Sequence, residues 1–287
     1  MISRRAFLGR AAALAGVLYG TGARAKPMTT TRMPVLFIGH GSPMNAIEDN
    51  EFSRAFRKLG AALAEPRAIL CVSAHWFVDG VYTTGNERPP TIHDFGGFPK
   101  QLFDVQYPAR GDNLLATRVA GLIGGGRGTP RDDWGLDHGT WSVLVHMRPK
   151  ADVPVVQLSI DDRLSATQHL ELAKLLAPLR DEGVLILGSG NMTHNLRHAM
   201  MAFQRGESDR PDWAVTFDRE AAQACEQHDG AALAKLIDTD AGRMSHPTPD
   251  HYLPLIYAVG AAGGQGAVDY PVNGWTGSLS MRSVRFS

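Results

Sequence analysis

Four short apolar runs, spaced along the chain and separated by segments of helical periodicity, constrain the fold most. They are Val35-Leu36-Phe37-Ile38, Ala68-Ile69-Leu70-Cys71-Val72, Val153 to Ile160, and Val184 to Leu187. Each is too short for a buried helix, and those rich in β-branched residues suit strands covered on both faces. Between and beyond them lie helical patterns. Phe52 to Leu63 carries Phe52, Phe56, Leu59 and Leu63 on one side and ends before Pro66. Asn113 to Ile123 runs into three glycines, Thr140 to His146 makes a short helix, and Ala166 to Arg180 a longer one. Helical patterns dominate Trp213 to Ile237, and Thr248 to Ala262 reads as a further helix despite Pro254. Ser278 to Phe286 alternates like a strand. Strands alternating with helices predict an α/β fold: a single domain with a central, mostly parallel sheet covered by helices on both faces.

The 287 residues are 44% hydrophobic and 20% charged, with 29 basic and 29 acidic groups. Arg4, Arg5, Arg10 and Arg24 all fall in the first 25 residues, where there is no acid. The remainder is mildly acidic, which speaks against a nucleic-acid partner or a polybasic membrane-binding surface. The arginines have another explanation. Ser3-Arg4-Arg5-Ala6-Phe7-Leu8-Gly9 has a twin-arginine pattern, Ala11 to Leu18 is weakly apolar, and Ala23-Arg24-Ala25 offers a small-x-small cleavage site. Residues 1–25 are therefore expected to be a twin-arginine export signal, and 26–287 a periplasmic catalytic domain with no membrane attachment after cleavage. Cys71 and Cys225, the two cysteines, do not make a disulfide scaffold and read as buried thiols, although an oxidising compartment leaves their pairing open.

Histidines punctuate the strand ends. His40 stands in Gly39-His40-Gly41-Ser42-Pro43, His75 in Ser73-Ala74-His75-Trp76, and His194 in Gly190-Asn191-Met192-Thr193-His194-Asn195. In a parallel sheet the C-terminal strand ends share one edge, where ligands bind. Neutral imidazole is a common ligand for zinc and other transition metals. A mononuclear metal enzyme is the expectation. His251, in Pro249-Asp250-His251-Tyr252, begins the expected helix, and its position alone does not place it with the others. Asp250, beside it, is a candidate to supply a carboxylate, although neighbours on a helix point in different directions. The glycine patterns fit neither a phosphate loop nor a nucleophile elbow.

These motifs resemble the bacterial 4,5-DOPA extradiol dioxygenase family, within the class III ring-opening superfamily. The resemblance begins with Arg32-Met33-Pro34-Val35-Leu36-Phe37-Ile38-Gly39-His40-Gly41-Ser42-Pro43-Met44. It continues through Ser73 to Trp76, Pro90-Thr91-Ile92-His93-Asp94-Phe95-Gly96-Gly97-Phe98-Pro99, and Trp134-Gly135-Leu136-Asp137-His138-Gly139-Thr140-Trp141. Pro154 to Ile160, Gly188 to Asn195 and Pro247 to Pro254 complete it, so that it spans Thr31 to Phe286. It implies that His40, His75 and His251 bind one divalent metal, Zn2+ or Fe2+, with His194 a fourth histidine at the ion. It also implies that His138 lines the substrate pocket, and that His138 and His194 move protons. The implied reaction opens a catechol such as DOPA beside its hydroxyl pair, using O2.

An all-histidine site also suits zinc, which leaves two other readings: a zinc hydrolase, or a metal- or catechol-binding protein without turnover. The His93 to Phe98 loop is expected to cap the pocket or form a structural turn. Trp76, Trp134 and Trp141 are candidates for ring stacking or for packing. Asn191 and Asn195 are candidates for orienting the histidines. His146, His169, His198, His228 and His246 read as structural or solvated. Oligomeric state is not legible.

Overall fold

The computed structural model describes residues 31–207 and 210–287. The leader motifs, Ser3 to Ala25, lie outside the described residues. The first half of the chain runs β1 (Val35–Gly39), α1 (Glu51–Ala62), β2 (Ala68–Val78), β3 (Tyr82–Thr84), α2 (Lys100–Phe103), α3 (Asn113–Ile123), β4 (Thr129–Arg131), α4 (His138–Met147) and β5 (Val155–Asp161). The second half runs α5 (Ala166–Lys174), β6 (Val184–Gly190), α6 (Leu196–Gln204), α7 (Asp212–Glu226), α8 (Gly230–Leu236), α9 (Asp240–Ser245), α10 (Leu253–Ala262), β7 (Val268–Val272), β8 (Trp275–Thr276), β9 (Leu279–Ser280) and β10 (Ser283–Phe286).

Among the described residues, eight strands form one sheet in the order β4-β3-β5-β2-β6-β1-β10-β7. The centre, β5-β2-β6-β1, is parallel. Antiparallel pairings of β10 with β1 and β7, and of β3 with β5, widen it on either side. Successive residues of β2 supply opposite faces, as the strand period requires. Ala68, Leu70 and Val72 join a core with helices α3, α5, α7, α8 and α10, whereas Ile69 and Cys71 join a second core with α1 and α4. The expected single-domain α/β sheet with helices on both faces is the observed fold. Cys225 belongs to the first core and Cys71 to the second, so the sheet separates two free thiols, and burial raises the pKa of each. Among the described residues no helix is long and apolar enough to cross a membrane.

Several boundaries differ from the expectation for local reasons. The helix expected from Thr248 starts at Leu253, because Pro254 suits a first turn, where its missing N–H is not needed. The expected Ala166–Arg180 helix ends at Lys174 and is followed by a 3-10 turn, Ala177–Arg180, with Pro178 near its start. The stretch from Trp213 to Ile237 is two helices, separated by a turn in which His228 adopts φ 52°. The expected terminal strand is divided between β9 and β10.

Two local features aim the sheet edge at one point. β2 continues past Val72 to Val78, and its pairing with β5 jumps from Val72–Leu158 to Phe77–Ile160. The extra residues bulge, which re-aims side chains, and His75 is one of them. At β6, a Cβ on Gly190 would come within 2.2 Å of the His251 carbonyl oxygen. Only glycine lets the approach to α10 lie against the strand, where Asn191 N donates to that same carbonyl at 3.0 Å.

Candidate metal centre

His40 follows β1 directly, its backbone N donating to Gly190 O at 2.9 Å. Its Nδ1 lies 3.0 Å from Ser189 Oγ, and that hydroxyl lies 2.5 Å from Gly139 O. A hydroxyl has one proton, which goes to the carbonyl, so Ser189 accepts from His40 Nδ1–H. This leaves the Nε2 lone pair of His40 free. His251 is held by the same logic, its Nδ1 donating to the carboxylate of Asp250. The adjacent residue thus reaches the ring after all. His251 sits in the turn before α10, where the helical geometry that would splay neighbours apart does not apply. His75 places Nδ1 3.3 Å from Asp94 Oδ2 and Nε2 3.3 Å from His40 Nε2.

His40, His75 and His251 each offer a ring nitrogen, all within 4.8 Å of one another. With the Nδ1 protons of His40 and His251 committed to Ser189 and Asp250, and the Nδ1 of His75 facing the Asp94 carboxylate, the remaining ring nitrogens face the space between the rings. Three ring nitrogens that converge in this way would hold a cation between them, and the donor set fits a transition metal. The protonation states agree. Burial, then the neighbouring histidines, holds His40 and His251 well below the usual imidazole range. Burial, reinforced by His138 and opposed by Asp94, takes His75 down to about 3. Neutral imidazole is the ligating form.

His194 takes a different place from the other strand-end histidines. After β6 the chain continues through a bridge between Thr193 and Ser280, and His194 N donates to Ser245 O at 2.9 Å. Its ring stacks on that of His251, centroids 3.5 Å apart and planes 6° from parallel, and it stands outside the three-histidine group. Burial lowers its pKa to about 4, against the pull of Asp250.

His138 is the first residue of α4, not a loop residue, and its ring centroid is 3.8 Å from that of His75. Gly139 permits this, since a Cβ there would meet Ser73 Oγ at 2.5 Å and His75 Cδ2 at 2.9 Å. Asp94 accepts twice from His138, from the backbone N at Oδ1 and from Nδ1 at Oδ2, both at 2.9 Å. His75, Asp94 and His138 form a second convergent group. Burial would raise the Asp94 pKa, but the hydrogen bond and charge of His138 outweigh it and hold the carboxyl below its usual range. Behind them Asp137 caps α4 and accepts from Ser73 Oγ at 2.7 Å and Gln157 Nε2 at 2.6 Å. Burial and the Asp94 charge push Asp137 up to about 6.

The residues that orient the rings are therefore Ser189, Asp250 and Asp94, and not the expected asparagines. Asn191 accepts from Gly41 N, and Asn195 caps α6. Trp76 and Trp134 stack on each other, and Trp141 donates to Ile92 O. His93 donates to Val105 O and packs edge-on against Phe95, so the His93–Phe98 loop lies over His138. His146, His169, His198, His228 and His246 bond protein groups away from the three-histidine group. The signal for Asp94 and Ser189 was absent from local sequence, because each acts on a histidine far along the chain.

Residues 33–280 match the model of the family described as the catalytic LigB subunit of aromatic ring-opening dioxygenase. The chain belongs to that family. It is 48% identical over 267 residues to a protein of Escherichia coli K12 named "4,5-DOPA dioxygenase extradiol", covering 90% of this chain and 96% of that one. It is 38% identical over 260 residues to a Beta vulgaris protein of the same name, covering 88% and 95%. A crystal structure of an uncharacterized Escherichia coli K12 protein superposes with a TM-score of 0.76 at 42% identity, covering 89% of this chain and all of that one. The chain is thus an extradiol aromatic ring-opening dioxygenase, and its histidine cluster could bind the metal on which LigB-family dioxygenases depend.

Proposed function

We propose that this LigB-family enzyme opens the ring of a catechol such as DOPA beside its two hydroxyls, consuming one O2, with one ferrous ion held by His40, His75 and His251. The observation that carries this reading is the convergence of three neutral imidazoles, two with Nδ1 protons spent on Ser189 and Asp250 and the third with Nδ1 facing the Asp94 carboxylate. The names of the two dioxygenase relatives support the substrate class. When bound, ferrous iron would supply Lewis acidity toward the diol oxygens and the one-electron chemistry that O2 requires, which redox-silent zinc would not.

The chain's own residues do the rest. His138, with Nδ1–H given to Asp94, presents Nε2 as a base for a phenolic proton and returns that proton later in the cycle. His194, kept neutral by burial and stacked flat on His251, is a second group able to take a proton at the site, and its ring also braces His251. The His93–Phe98 loop screens His138 from water through Phe95, whose ring lies edge-on to His138 at 5.4 Å.

The test is O2 uptake with absorbance scanning, on protein loaded anaerobically with Fe(II) and in parallel with Zn(II), offered DOPA and simple catechols. Stoichiometric uptake by the iron form alone, with a ring-opened chromophore, is the expected result. Uptake by neither form, with metal bound, returns the site to the hydrolase or binding readings. We further propose export by the twin-arginine route, on the strength of Arg4-Arg5 and the segment that follows. Replacing both arginines with lysine is expected to move the protein from periplasmic to cytoplasmic fractions.

A further inference from the structure

We propose that Asp94 is the positioning residue that makes His138 a base: it fixes the tautomer and ring plane of His138, so that Nε2 carries a lone pair toward the site. This rests on the catechol-opening reading above. One Asp94 carboxylate accepts from both the backbone N and the ring Nδ1 of His138, each at 2.9 Å. The backbone contact anchors the carboxylate, and the Nδ1 contact then holds the ring against rotation about its side-chain bonds. A carboxylate has no proton to give, so Nδ1 must donate and Nε2 must be the free base.

The position of Asp94 is itself well determined. It faces the first backbone N–H of α4, where the helix dipole favours an anion. Its neighbour Phe95 is wedged against Trp141 and Phe103, which holds the loop down, while Gly97 bends the chain at φ 78°. The same Oδ2 lies 3.3 Å from His75 Nδ1, so one carboxylate sits between a ligand histidine and the proton-moving histidine. The closer contact, which has hydrogen-bond geometry, is to His138, and the main effect of losing the carboxylate falls there.

Asp94→Asn tests this. The amide nitrogen would donate to His138 Nδ1 and shift the ring proton to Nε2, removing the base while preserving shape. With rates normalised to bound iron, kcat is expected to fall about 100-fold or more, and KM for the catechol to change less than about threefold. In a His138→Ala background the same substitution is expected to cost nothing further, because the two residues act as one unit. Multiplicative losses in the double variant, a wild-type kcat in Asp94→Asn, or a loss accounted for by missing iron would each overturn the proposal.

A readout independent of turnover separates this inference from the assignment of substrate and metal. Long-range 15N–1H correlation on metal-free and zinc-loaded protein is expected to place the His138 proton on Nδ1 in the wild type and on Nε2 in Asp94→Asn. An Nε2–H tautomer in the wild type would overturn the role of Asp94 even if ring opening were confirmed. The Nδ1–H tautomer together with an absence of O2 uptake would uphold the positioning and discard only the reaction.

Discussion

His169 is buried like His40 and His251 of the cluster, with His75 half-buried beside them, and burial suppresses protonation in both places, yet they differ in how their ring nitrogens are used. His169 spends both: Nε2 faces Asp161 O at 3.1 Å, and Nδ1 faces Tyr257 Oη at 3.0 Å. A carbonyl only accepts, so Nε2 donates and Nδ1 receives the Tyr257 proton. In the cluster, His40 and His251 spend Nδ1 on a protein acceptor, His75 turns Nδ1 toward the Asp94 carboxylate, and one ring nitrogen of each is left to converge with the others. Burial alone does not make a candidate ligand; a converging set of nitrogens does. His246 sharpens the point. Its Nδ1 is buried and unpartnered, but it belongs to no convergent group among the described residues.

The largest expected effect breaks the comparison from the cluster side. His40→Ala removes one ligand and the partner of Ser189, and should abolish metal retention after dialysis and lower catechol turnover at least ~1000-fold. Elemental analysis and O2 uptake measure both. Full metal occupancy in this variant would mean that the three nitrogens are not the metal site.

His169→Ala should do the opposite. It strands the Tyr257 hydroxyl and the Asp161 carbonyl and opens a cavity between α5 and α10, for a loss of about 3 kcal/mol in urea unfolding. Metal content and the normalised rate should stay within about twofold of the wild type. Metal loss in this variant would dissolve the distinction between spent and unspent nitrogens.

That distinction also marks how far sequence could reach. Strand β1, helix α3 and the position of β6 were legible because each carries its own signal, an apolar run or a capped helical period. Strands β3 and β4 were not, since strands of three residues have no period to detect. His40 and His75 were legible as strand-end residues, although His75 lies within a bulge of β2 and not after the strand. Position favoured His194 over His251, and the structure brings His251 into the three-histidine group with His194 stacked upon it. The reason is a contact between elements: Gly190 admits the turn before α10, which no local pattern announces. Asp94 and Ser189 escaped for the same reason, as partners of His138 and His40 assembled only by the tertiary fold.

Acid provides a smaller effect. Burial takes His169 from 6.5 down to about 4. The folded pKa lies below the unfolded one, so as pH falls below about 6.5 the unfolded chain takes up the proton first. The stability that depends on neutral His169 is intact above pH 6.5 and drains away toward pH 4, amounting to ~2 kcal/mol by pH 5. His169→Gln, which cannot titrate, should show a correspondingly shallower loss between pH 8 and 5. An unchanged slope would show that His169 takes up its proton in the fold at the same pH as in the unfolded chain.

The smallest effect probes the cluster through its weakest support. Ser189 is a neutral partner of His40 Nδ1, whereas Asp250 and Asp94 are carboxylates. Ser189→Ala leaves the ligands in place but releases the hydroxyl that orients His40 and donates to Gly139 O. Metal affinity should drop about tenfold, near 1.4 kcal/mol, at the low end for such partners because no charge is lost. Competition against a calibrated chelator measures it. A loss as large as that from His40→Ala would mean that the hydroxyl holds the ring nitrogen in place almost alone. No loss would mean that packing along β1 and β6 orients His40 without it, and that the proton on Nδ1 is set by the metal instead of by the fold.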